Sequence, residues 1–342
     1  MDGMDELPAE LATNFASELQ TRSTNDNSAN FVMTSRQAFY VARRGLLDRL
    51  GLSAIVHLLD LTDQDIWTYV TNLGLKVDRF LAALDEVDAY DDVRNPFILS
   101  VLAGRFSVVR TLGCLRSENV KFVIDRLIES RPRIDAHKQR RALRLLAVAI
   151  EAYSRNELSE DEAVRVIKAS MRISTAEASD LLFELYGSIL KRTAGGLAFQ
   201  MRSYGEYLAA EELETAGLSR IRELAFMDFN TPNESWSNTI TYLAELNSEV
   251  KAYFIRCRPF WMINASPAAF SEAERSAIAS SVLQTLKKEL QYLYHEPGLR
   301  VRRMTRFIIK AVEAELTQDL TSDIPVVKGN ALALLGTLAA RV

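Results

Sequence analysis

Only 14 of the 342 residues are glycine and 8 are proline, and this scarcity limits the possible folds more than any other feature of the chain. A turn-rich β fold needs such residues at nearly every chain reversal. Helix is therefore expected to dominate. The length suffices for about two or three domains with more than one buried core. Apolar residues at 48% and charged residues at 25% are ordinary values for a soluble protein. A net charge of −4 and a pI near 5.7 argue against nucleic acid as the main partner, because non-specific affinity for it comes from a positive excess. Cys114, Cys257, His57, His137 and His295 have neither metal-ligand spacing nor a disulfide framework, so reduced cysteines and a cytoplasmic location are expected. No apolar run approaches the length of a membrane span, and the acidic start lacks the pattern of a secretory signal.

Helix starts are the clearest local signals. Thr62 to Asp65 reads as an N-cap, followed by Ile66, Tyr69 and Val70 at helical spacing. Ser159/Glu162, Ser174/Glu177 and Ser271/Glu274 have the spacing of capping boxes. Asn95-Pro96 opens an apolar helix with proline in the first turn, where its missing N–H does no harm. Leu143, Leu146, Ala147 and Ile150 form one apolar face, and Lys138, Arg140, Arg141 and Arg144 near it read as a solvated basic face. Residues 188–201 (SILKRTAGGLAFQM) predict a hairpin around Gly195-Gly196, with Met201 on its second strand. Beyond it, Trp236, Ile240, Leu243 and Leu246 mark one helix, and Val301, Met304, Ile308 and Ala311 another, with Arg300, Arg302, Arg303, Arg306 and Lys310 as a solvated stripe. Short amphipathic helices in succession suggest an α-solenoid-like array that folds without the first 215 residues.

The first eight residues (MDGMDELP) have a different character. Asp2, Asp5 and Glu6 form a tight acidic trio, a residue set that can hold Mg²⁺ with one carboxylate and orient an attacking water with another. Taken alone, such a trio also describes a solvated chain end. Phe31 to Arg36 (FVMTSR) reads as a short strand ending in a hydroxyl pair and an arginine, and Ala54 to Leu59 as a further strand.

These two stretches together resemble the Walker B and sensor 1 strands of NACHT-family STAND ATPases. Asn95-Pro96-Phe97-Ile98-Leu99 is similar to the element that opens that family's helical domain. Phe199 to Glu211 (FQMRSYGEYLAAE) resembles its winged-helix signature through Phe199, Tyr204, Glu206, Tyr207, Leu208, Ala209 and Ala210. The resemblance implies a mainly α chain that opens with the remnant of an α/β P-loop NTPase domain. Residues 1–61 would be the C-terminal part of the nucleotide-binding domain and 62–115 a helical domain, with a winged helix over 116–215 and the start of a helical-repeat sensor array over 216–342. It implies ATP or ADP with Mg²⁺ as cofactor, Asp2 on the metal, Asp5 and Glu6 in hydrolysis, Arg36 facing the phosphates and Pro96 beside the adenine. Met201 stands where the family usually has a histidine on the β-phosphate, with Arg202 as the neighbouring substitute.

The phosphate cradle G-x-x-x-x-G-K-[ST] occurs nowhere in the sequence. The chain is therefore expected to be cut from a longer reading frame and to be inactive as an ATPase alone. By resemblance, the intact protein would be an antiviral signalling switch that oligomerises with ATP and senses a protein ligand on its C-terminal array. Two alternatives stand beside it, a non-enzymatic helical interaction protein and a winged-helix regulator binding DNA.

Overall fold

The computed structural model describes residues 59–87, 89–90, 92–129, 135–186, 189–193, 195–226, 233–293 and 301–339, with Phe15, Glu18, Thr21 and Val56 as isolated positions. The chain divides into two units, residues 1–59 with 295–298, and residues 60–294 with 299–342. In the first, Phe15, Glu18 and Thr21 are helical, whereas Val56 and Leu59, expected in a strand, lie outside regular structure and are exposed. The FVMTSR stretch lies outside the described residues.

The second unit is mainly helical, as the scarcity of turn residues predicts. It opens with α1 (Asp63–Asn72), α2 (Val77–Glu86) and α3 (Pro96–Val109). Thr62 and Asp65 make the expected reciprocal capping box on α1. Ile66 and Val70 from α1, Phe80 and Leu84 from α2, and Leu99 and Phe106 from α3 close a small apolar core, with the Phe80 and Phe106 rings edge-to-face at 5.4 Å.

A second core runs without a break from α4 (Arg116–Glu129) to the last helix. Next come α5 (Ala136–Ala152), α6 (Glu160–Met171) and α7 (Thr175–Leu185). Ser159 and Ser174 cap α6 and α7 through Glu162 and Glu177. The predicted hairpin follows as β1 (Leu190–Thr193) and β2 (Gly196–Phe199), antiparallel with Leu190 opposite Phe199. Leu158, between α5 and α6, exchanges backbone hydrogen bonds of 3.0 and 2.8 Å with Leu197. Gly196 permits that approach. Its φ is +142°, and a Cβ there would lie 2.1 Å from the Leu158 carbonyl oxygen.

The hairpin leads into α8 (Arg202–Leu213), then α9 (Leu218–Ala225), α10 (Ser237–Leu246), α11 (Ser248–Cys257), α12 (Pro259–Met262) and α13 (Glu272–Glu289). Ser271 and Glu274 form the expected box on α13. The helix predicted over 301–311 is interrupted: α14 covers only Val301–Thr305, a turn follows, and α15 (Lys310–Asp319) and α16 (Pro325–Ala339) complete the chain. Arg306 and Phe307, in that turn, are both buried.

Packing crosses residue 215. α8 packs on α5 and α10, and α13 touches α11, α12, α15 and α16. Asn330 on α16, 4% exposed, accepts from the Leu293 N–H and donates to the Gln291 carbonyl, holding the end of the α13 segment. Fully buried Trp236, Ile240, Tyr242 and Leu243 belong to the same core as α5 and α8. The array is therefore not an independent stack. A fragment of residues 216–342 is expected to lose cooperative unfolding, since it bares those side chains. Urea melts followed by circular dichroism check this, and a sharp transition with full helicity in the fragment would show that the shared core is dispensable.

Candidate functional site

The segment with the most specific sequence signature, Phe199 to Glu211, forms the hub of the second core. Phe199 ends β2, and the Gln200 N–H donates to the Ile189 carbonyl at 2.7 Å. Met201 is not on the strand, as predicted, but at the elbow: extended, 37% exposed, and N-cap of α8 without a side-chain capping bond. The strand ends at Phe199, two residues earlier than the sequence pattern suggests. Gly205 lies one turn into α8, and a Cβ there would sit 2.7 Å from the Phe199 ring. The strand's last side chain thus rests directly on the helix backbone.

Three carboxylates of α8 each engage another helix. Glu206, 1% exposed, accepts through Oε1 from Asn238 Nδ2 of α10 at 3.0 Å and pairs with Arg202 Nε at 3.1 Å. Glu211 receives a two-pronged contact from Arg140 of α5, Nε at 2.8 Å and Nη2 at 2.7 Å, and Tyr207 Oη donates to it at 3.2 Å. Arg140 also pairs with Asp125 of α4. Glu212 takes Arg141 and Arg144 of α5, both at 3.1 Å. The basic cluster expected to face solvent is thus an inter-helix clasp. Burial works against the charge on Arg140, but Glu211 and Asp125 outweigh it and hold the guanidinium above its ordinary value.

Behind Glu206 sits a second acid with no distinguishing signal in its sequence neighbourhood. Glu151, at the end of α5, is 6% exposed. Burial first, and then the charge of Glu206, push it up to about 8, with Arg202 opposing. Near neutral pH, Glu151 is therefore a buried neutral acid beside the buried carboxylate of Glu206, whose partner Arg202 is exposed.

The positions expected around a nucleotide are distributed unevenly. Asp2, Asp5, Glu6 and Arg36 lie outside the described residues. Pro96 is the first residue of α3 and exposed, with Asn95 Oδ1 accepting from the Ile98 N–H at 3.4 Å. Met201 and Arg202 adjoin at the start of α8, and Arg202 is engaged with Glu206. A thioether offers a phosphate no donor, whereas the Arg202 guanidinium is a donor. Among the described residues no cluster of His, Cys, Asp and Glu is placed to hold a metal, and no helix is long and apolar enough to cross a membrane.

No protein-family model matches the chain, and no curated protein matches it either.

Two outcomes are expected at the hub. Between the ordinary carboxylate range and about pH 8 the folded protein holds a proton on Glu151 that the unfolded chain has released, so stability falls as pH rises through that window. The slope can reach about 1.4 kcal/mol per pH unit. Glu151→Gln should flatten it, as measured by urea unfolding at pH 5, 6.5 and 8, and an unchanged slope would mean the proton is held elsewhere. Gly205→Ala should cost about 1–3 kcal/mol in the same assay by forcing the Phe199 ring off the helix.

Proposed function

We propose that this chain is a fragment of a NACHT-type nucleotide-dependent signalling switch with an antiviral role. In this reading α1–α3 form the helical domain, α4–α8 with β1 and β2 the winged helix, and the helices beyond α8 the start of a sensor array for a protein ligand. One observation carries it. The signature residues Phe199, Tyr204, Glu206, Tyr207, Leu208 and Ala209 are all buried on the element that ties α5 to α10. A switch needs such an element, since a change of arrangement on one side of α8 alters contacts on the other.

The nucleotide itself requires more than this sequence provides. Asp2 would hold Mg²⁺, Asp5, Glu6 and Arg36 would act on the phosphates, and Pro96 would touch the adenine. All of them depend on a backbone cradle absent from the 342 residues. ATP binding, turnover and ATP-driven self-association therefore belong to the longer protein, in the cytoplasm.

The DNA-regulator alternative loses its reading head. In a winged helix the second helix of the helix-turn-helix enters the major groove, and here that helix is α7, which carries Glu177, Asp180 and Glu184 and no lysine or arginine. Such a face repels phosphate. The interaction-protein alternative keeps one supporting observation: Arg202 is engaged by buried Glu206, a structural use of the position adjoining the proposed phosphate contact.

The chain is expected to release no phosphate from Mg-ATP in a malachite-green assay. The decisive experiment extends the protein upstream in its own reading frame to include a Gly-rich Lys-Ser/Thr loop, and measures ADP binding by calorimetry. One site is expected, tightened by about 1.5–3 kcal/mol in Met201→His, the value of a hydrogen bond to a charged group. A frame without such a loop, or an extended protein that ignores ADP, returns the chain to the class of helical interaction proteins.

A further inference from the structure

A cavity of about 330 Å³ lies in the second unit where its two apolar cores meet. Ile98 and Leu102 of α3 reach it from the smaller core, and Val101, Val120, Ile263 and Phe270 from the larger one. Its walls are α3, α4, the segment after α12, the start of α13 and α14 with its following turn. An apolar cavity of about 150 Å³ holds benzene, so this one has room for on the order of ten non-hydrogen atoms, at the lower end of small-ligand pockets. Among the described residues no Asp or Glu lines it.

The polar groups of the wall differ in what they already hold. Arg116 lies over the Tyr242 ring, 4.6 Å from its centroid, and Arg303 Nη1 donates to Asn264 Oδ1 at 2.7 Å. Asn119 is occupied by backbone: its Nδ2 donates to the Gly113 and Leu115 carbonyls at 2.8 and 3.0 Å, and its Oδ1 accepts from the Gly113 N–H at 3.1 Å. Ser266 Oγ accepts from the Arg116 backbone N–H at 2.7 Å. Arg275, at the end of the first turn of α13, is different. It is half-buried, its Nε is shut off from solvent without a hydrogen-bond partner, and among the described residues no carboxylate pairs with it. The neighbouring acid Glu274 is held by Ser271 and by Lys251 of α11. A guanidinium stays charged at every relevant pH, so Arg275 brings to this acid-free cavity a fixed positive charge whose Nε donor is unused.

We propose that this cavity binds a small monocarboxylate with an apolar body, on the order of ten non-hydrogen atoms in all. The carboxylate meets the edge of Arg275, where Nε and a terminal nitrogen match two coplanar oxygens. The apolar body lies on the seam between the two cores and is removed from water there. One guanidinium with an unused donor suits one negative charge, and a phosphate dianion calls for a second cation; Arg116 and Arg303 keep the partners they have. Neither Pro96, Met201 nor Arg202 lines the cavity, so it is separate from the described part of the implied nucleotide site.

Octanoate is the probe, with 1-octanol for the chain without the charge, acetate for the charge without the chain, and octyl phosphate for a dianionic head. Each is titrated into the full chain by calorimetry at neutral pH. Octanoate is expected to saturate one site, roughly tenfold or more tighter than 1-octanol because of the charged hydrogen bonds, and tighter than octyl phosphate, while acetate gives no saturable signal. It should also slow alkylation of Cys114, which is exposed and lines the cavity, in proportion to occupancy, with no change at half-buried Cys257. In Arg275→Gln, octanoate should fall to the affinity of 1-octanol, while 1-octanol itself binds as in the parent and so shows the cavity intact. Failure of octanoate to saturate would overturn the assignment, as would an octanoate-to-octanol ratio unchanged in Arg275→Gln, or octyl phosphate binding more tightly than octanoate. None of these outcomes bears on ADP binding by the extended protein.

Discussion

The second unit depends on one helix that is almost wholly buried and yet carries three carboxylates. Burying a charge alone costs several kcal/mol, so Arg202–Leu213 is tolerable in the core only because Glu206, Glu211 and Glu212 each meet a donor or cation. The partners come from α5 and α10, and through Arg140 from Asp125 of α4 as well. Position is thereby specified as well as stability. A hydrophobic helix could slide by a turn against its neighbours at modest cost, whereas a slide here would strand a fork of two bonds between Arg140 and Glu211. Removing one partner of such a pair costs about 3–5 kcal/mol, while replacing both with apolar groups can be neutral. The clasp is better understood as a register device than as a source of net stability.

The local elements were legible in the sequence because their causes are local. A serine or threonine hydroxyl and an acid three residues later satisfy each other's helix-end groups wherever they occur, and all four predicted starts of this kind, at Thr62, Ser159, Ser174 and Ser271, carry the reciprocal bonds. The hairpin was legible from the Gly195-Gly196 turn between two apolar runs, although the close approach of Gly196 is to Leu158, far away in sequence. What escaped depends on partners far along the chain. Arg140 and Arg141 look solvated until Glu211 and Glu212, 71 residues away, are brought to them. Glu151 looks like an ordinary helix-end acid until α8 and α10 cover it.

The stretch 301–310 shows the limit of periodicity more sharply. Val301, Met304 and Ile308 keep helical spacing, and the intervening arginines then read as a polar face. Periodicity assumes that a cation belongs outside. Here Arg306 is buried beside Phe307, and the helix ends at Thr305. A cavity lined by several guanidinium groups, Arg306 among them, supplies the polar surroundings that make such burial possible.

Cavity and hub are joined by contacts between specific side chains. Arg116, at the cavity, lies over the ring of Tyr242. Tyr242 meets Tyr207 edge-on, with centroids 5.8 Å apart and planes at 87°. Tyr207 donates to Glu211, which Arg140 holds against α5. Tyr242 is fully buried, and burial raises its hydroxyl well above the ordinary range while the charge of Arg116 works in the opposite direction. Spatial continuity alone does not establish coupling. It does fix where coupling would act: on the contact between α10 and α8, the same contact that carries the Glu206 to Asn238 bond and covers Glu151.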